Sequence, residues 1–213
     1  MKNYLKRNFP PLLAELAFLA CCFLLPSEQI LYANTLFYLF VFLYFLFRKD
    51  FSFQALLNSW KSGKRFWMQT ALTALGFIAA FILSLILENA FPQLDAGMIS
   101  LKVSGWPGFF CFLLSTLLLP PLAEELFFRQ SMISFESKPL IVCTALLGMF
   151  FYALEHALTP WGVLLCMIWA LPLAISYIRT KNIYVPITAH FLINLIGNGP
   201  DIISLLTELL SKG

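Results

Sequence analysis

The apolar residues of this chain are gathered into blocks of about twenty, the length a helix needs to cross the hydrocarbon core of a bilayer. Seven such blocks are expected, over about 10–25, 30–47, 66–91, 107–133, 139–158, 161–178 and 183–199. Composition agrees: 60% of the 213 residues are hydrophobic and 12% charged, about half the charged share of soluble domains. No stretch alternates with a strand period, and a spanning backbone must satisfy its own hydrogen bonds, so the blocks read as helices rather than barrel strands. The expected fold is an all-α polytopic bundle forming one integral membrane domain over 1–213. Residues 201–211, apolar on one face and too short to span, read as a short C-terminal amphipathic helix at the surface.

Lys and Arg set the orientation. The N-terminus and the connectors 48–65, 134–138 and 179–182 carry eleven, and the alternate connectors with the tail carry two. By the positive-inside rule the N-terminus is cytoplasmic, in a cell (inner) membrane. Lys2, Lys6 and Arg7 precede the first apolar run as they would in a leader, but no Ala-x-Ala type site follows, so the run reads as a first span. A net charge of +3, confined to connectors, gives no footprint for nucleic acid. The five cysteines all fall in apolar blocks without CxxC spacing and read as small buried hydrophobes.

Glu124 and Glu125, with Arg129 four residues on, interrupt the fourth block. A charge at the centre of a span costs roughly 2.5–3.5 kcal/mol, so an acidic pair there marks function. On a helix Glu125 and Arg129 share a face, while Glu124 points about 100° away. The expected division is an ion-paired, structural Glu125 and a Glu124 that faces a cavity. Pro120-Pro121, one turn earlier, is expected to interrupt the span and free backbone carbonyls to line that cavity. The chain's only histidines lie in later blocks, His156 one turn after Tyr152 and His190 one turn before Asn194.

The ordered set Glu124-Glu125-x-x-x-Arg129, Tyr152-x-x-x-His156 and His190-x-x-x-Asn194 resembles the three motifs of the CPBP family of intramembrane proteases, which includes the type II CaaX prenyl endopeptidases. Phe127-Phe128 before Arg129 strengthens the likeness. It covers about 106–199, the expected catalytic core, and leaves 1–105 as three spans without a family signature. The resemblance implies an endopeptidase acting on a peptide or protein at the membrane, without a cofactor. Glu124 and His156 would activate a water, His190 and Asn194 would stabilise the oxyanion, and Glu125, Arg129 and Tyr152 would support them. The chemistry agrees, since a carboxylate drawn from water is a stronger base and imidazole and amide N–H groups suit an oxyanion. Tyr152 stands where the family commonly has Phe, and Gln130 where many members have Gly. Glu155, expected on a different face from His156, has no assigned role; Glu15 and Glu88 read as structural.

Two rival readings use the same residues. Glu124, Glu125, His156 and His190 offer nitrogen and oxygen ligands to zinc, although no HExxH spacing is present. Alternatively the polar residues are interhelical glue in a non-catalytic, partner-binding or immunity protein. Convergence decides: glue needs only pairs, whereas catalysis needs Glu124, both histidines and Asn194 around one cavity. Straight helices also set a problem of depth. Measured from the 134–138 connector at 1.5 Å per residue, Glu124 lies about 15 Å deep and His156 about 26 Å. Either residues 126–136 form a short buried elbow, or the fifth span starts later than drawn.

Overall fold

The computed structural model describes residues 2–211. Among them the secondary structure is helical apart from one isolated backbone bridge. We number the helices α1 (Lys2–Leu24), α2 (Ser27–Phe47), α3 (Phe53–Lys61), α4 (Lys64–Ala90), α5 (Gly105–Ser131), α6 (Lys138–Leu154), α7 (Pro160–Thr180) and α8 (Tyr184–Ser211). Five of these, α1, α2, α4, α5 and α7, are long and apolar enough to cross a membrane. The other two expected spans fall short of that measure: α6 is apolar but only 17 residues long, and α8, diluted by His190, Asn194 and Asn198, is not among the five. These helices fit a multi-pass membrane protein.

Local chemistry sets several boundaries. Ser52, Ser137 and Thr159 cap α3, α6 and α7, each side-chain oxygen accepting from the backbone N–H three residues on. Pro139 and Pro160 occupy first-turn positions whose N–H groups need no partner. Lys181 closes α7 in the left-handed region, φ 51°. The short α3, with no buried residue, occupies the basic connector where no helix was expected. The C-terminal expectation is also corrected: the last span and the surface helix are one element, since α8 runs unbroken through Pro200.

The Pro120-Pro121 pair does not break α5. The turn before it widens to π geometry over Leu114–Leu118, where Leu119 donates to the carbonyl five residues back, and the prolines then sit at the start of the following α segment. Pro120 has no N–H for the Thr116 carbonyl, and Asn198 Nδ2 of α8 takes its place at 3.2 Å. A second π stretch, Glu125–Ser131, ends α5.

An elbow resolves the depth problem, and it lies at 132–137. Helix α5 continues through Ser131; the chain then runs back beside the first turns of α6, with Ser134 N–H donating to Thr144 Oγ1 at 3.0 Å. Met132 and Ile133 in this elbow are buried. Gly148 of α6 packs on the Phe128 carbonyl so closely that a Cβ there would stand 2.5 Å from its oxygen. One turn further on, Glu124 comes level with Tyr152.

The core is aromatic and aliphatic, drawn from α1, α2, α5, α6, α7 and α8 and including Phe37, Phe45, Phe127, Phe128 and Leu126. Large apolar side chains such as Leu72, Ile86, Val142 and Leu146 face outward, as lipid contact requires. The cysteine expectation holds fully only for Cys166: Cys21, Cys22 and Cys111 are half-buried and Cys143 is exposed.

Candidate active site

Glu124, Glu125 and Arg129, on the last turns of α5, are all buried. Arg129 Nη1 lies 3.4 Å from Glu125 Oε1, the expected ion pair, and Nη2 reaches the Ala170 carbonyl of α7 at 3.5 Å. Glu125 has a second partner that its spacing did not announce. Its Oε1 accepts from His190 Nδ1 of α8 at 2.9 Å, while His190 Nε2 lies 3.9 Å from Glu124 Oε2. One imidazole thus spans both glutamates, and Glu125 holds a site residue as well as the arginine.

His156 lies two residues past the end of α6, in a turn rather than within the expected span. Its Nδ1 is 2.9 Å from the Tyr152 carbonyl, which can only accept, so Nδ1 carries a hydrogen, and in the neutral ring Nε2 keeps its lone pair. The Tyr152 ring stacks on His156 with centroids 4.5 Å apart and receives the Arg129 guanidinium 4.6 Å from its centroid. Tyr152 therefore couples the α5 cation to the His156 ring through its face.

The turn bearing His156 is also held from outside the three motifs. The connector expected over 92–105 on the external side folds back so that Met98 bridges antiparallel to Ala157. Ile99 N–H donates to the His156 carbonyl at 2.9 Å and Leu158 N–H to the Gly97 carbonyl at 3.0 Å. Thr159 Oγ1 donates to the Asp95 carbonyl at 2.7 Å, and Gly162 lets the Ala96 carbonyl approach where any Cβ would collide.

Two further residues were missed. Tyr38 of α2, buried, donates to Glu124 Oε1 at 2.7 Å and lies 3.2 Å from Glu155 Oε2; the carboxyl of Glu155 in turn meets that of Glu15 from α1. Glu155, left without a role by the sequence, thus joins the site from the far side of Glu124. A tyrosine among the many aromatics of α2 carries no distinguishing signal; Glu15, a carboxylate in an apolar span, did carry one. Glu88, grouped with Glu15 in the sequence, is exposed. Gln130 bonds the Asp50 carbonyl at 3.1 Å, away from the site.

Glu124, Tyr152, Glu155, His156, His190 and Asn194 all line one cavity of about 610 Å³. It extends from Glu124 toward Leu101, Thr116 and Asn198, at the end of the bundle opposite the basic connectors. Glu124 Oε2 has no protein hydrogen-bond partner there. Among the described residues, no three His, Cys, Asp or Glu side chains are grouped to hold a metal ion.

Residues 106–196 match the family model described as type II CAAX prenyl endopeptidase Rce1-like. That segment contains Glu124, Glu125, Arg129, Tyr152, Glu155, His156, His190 and Asn194. No curated protein and no solved structure matches. Tyr38 and Glu15 lie outside the matched segment, so the first two helices complete a site whose recognisable part begins at residue 106.

Proposed function

We propose that this protein is an intramembrane endopeptidase that hydrolyses a peptide bond with a water activated by Glu124 and His156. The observation that carries this reading is the convergence of Glu124, both histidines and Asn194 on one cavity, which a set of separate interhelical pairs would not require. Glu124 Oε2 accepts a proton from the water as its oxygen attacks the scissile carbonyl carbon, and His156 Nε2 accepts the water's other hydrogen bond. The developing oxyanion is met by Asn194 Nδ2 and His190 Nε2. For His190 to donate from Nε2 while its Nδ1 donates to Glu125 it must be an imidazolium. Collapse breaks the C–N bond, and Glu124 returns its proton to the leaving nitrogen.

The family description suggests a substrate whose prenylated cysteine is followed by the last three residues of its chain. The purified protein should release the last three residues of a farnesylated CaaX-type peptide, read by mass spectrometry. No cleavage of prenylated or unprenylated peptides by folded protein would overturn the reading. A glutamate–histidine water site needs no Lewis acid, so activity should survive prolonged treatment with a strong chelator. Loss on chelation that zinc restores would instead make Glu124, His156 and His190 ligands, and the base would then be sought at Glu125 or Glu155.

A further inference from the structure

Four carboxyl groups, those of Glu15, Glu124, Glu125 and Glu155, are buried together in the bundle. Among the described residues the cations paired with them are Arg129 and, when protonated, His190, both on the Glu124–Glu125 side. An unpaired charge in such a place costs several kcal/mol, so two anions are balanced and two more would not be. Hydrogen counting along the contacts leads to the same place. Tyr38 has one hydroxyl hydrogen, and its shorter contact, 2.7 Å, goes to Glu124 Oε1. At 3.2 Å from Glu155 Oε2 the Tyr38 oxygen can then only accept, so Glu155 is the donor. Glu155 Oε1 and both Glu15 oxygens receive no hydrogen bond from a protein N–H or hydroxyl group, and where these two carboxyls meet, a hydrogen of their own is needed. With the Glu155 hydrogen committed to Tyr38, that hydrogen comes from Glu15.

We infer that Glu15, Glu155 and Tyr38 form a one-way hydrogen-bond chain, two neutral carboxylic acids and a phenol, that ends on the Glu124 carboxylate and holds it as the single anion of the chain. The chain runs from α1 through the α6–α7 turn and α2 to α5. No new cation is required, and with Oε1 of Glu124 occupied, Oε2 is the carboxylate oxygen left without a protein hydrogen bond. Glu15, Glu155 and Tyr38 are positioning residues, acting through Glu124 and touching no reacting atom. The groups facing the chain are Cys22 on α1, Arg129 and Glu124 on α5, Tyr152 on α6 and His190 on α8.

The hydrogen-bonding claim is testable without any substrate, whereas the positioning claim rests on the proposed hydrolysis. Infrared spectra of the purified protein in detergent at neutral pH, in H₂O and D₂O, should show protonated-carboxyl absorption that moves on deuteration. Glu15→Gln and Glu155→Gln should each remove part of it, the double variant should remove all of it, and Glu124→Gln should leave it. Tyr38→Phe, which keeps the ring packed on Phe37, should shift the Glu155 band upward without loss of amplitude. Absorption that survives the double variant, or that disappears with Glu124→Gln, would overturn the chain. On the farnesylated peptide, Tyr38→Phe should lower kcat about tenfold, the worth of one hydrogen bond to a charged group, with KM unchanged. An unchanged kcat would overturn the positioning role, and wild-type protein that cleaves nothing yet gives the expected spectra would overturn only the protease reading.

Discussion

His190 is the residue on which two different consequences of mutation meet. It is held by Glu125, and Glu125 is held by Arg129, so the ion pair and the ring are one buried unit. Glu124→Gln keeps the shape and hydrogen-bonding capacity of the side chain while removing the base. Turnover should fall by about two to four orders of magnitude, with thermal unfolding close to wild type. Arg129→Ala leaves the Glu125 carboxylate without its cation and strips the face of Tyr152; about 3–5 kcal/mol of stability should be lost, seen as a fall in folded yield from the membrane fraction. Glu125→Gln should lower folded yield too, and in whatever folds it should also reduce turnover, because the anion that orients His190 is gone. Wild-type turnover by Glu124→Gln would refute the mechanism outright.

At the level of elements, the depth at which Glu124 meets Tyr152 is set by how α5 and α6 pass each other. The elbow at 132–137 lets α6 begin well outside the end of α5, and the contact of Gly148 with the Phe128 carbonyl fixes how far. Gly148→Ala puts a methyl group where there is room only for hydrogen. It should cost about 1–3 kcal/mol, as overpacking does, and lower the midpoint of thermal unfolding in detergent by several degrees. Turnover at permissive temperature should fall as well, since Tyr152 and His156 move with the helix; an unaffected midpoint would show that α6 can slide freely against α5. The π turns in α5 belong to the same scale. The first absorbs Pro120-Pro121 without a break and leaves the Thr116 carbonyl to Asn198, and the second carries Glu125 and Arg129.

For the molecule as a whole, the cavity and the basic connectors lie toward opposite ends of the bundle. If residues 48–65 are cytoplasmic, as the charge bias requires, substrate reaches Glu124 from the other side of the membrane. Single cysteines at Ser59 and Ser100, in a background lacking the five native thiols, should react with an impermeant reagent from opposite sides. Reaction of both from one side would reverse the inferred route.

What the sequence alone determined was the class of fold and most of the polar residues that the fold gathers around one cavity. Apolar blocks of spanning length leave the backbone few options, and a charged or imidazole side chain in such a block is too costly to be incidental, so Glu124, Glu125, Arg129, His156 and His190 stand out by residue type and position alone. Asn194 and Tyr152 followed from helical spacing to those residues. Only the tertiary structure decided what depends on contact between distant segments. Tyr38 is one aromatic among many until it meets Glu124, and Glu155 has no role until α1 brings Glu15 to it. The segment around Met98 reads as a connector until its backbone pairs with the His156 turn. Helical periodicity reports which residues share a face; it carries no information on which helix that face will meet, or at what depth, because packing between helices sets both.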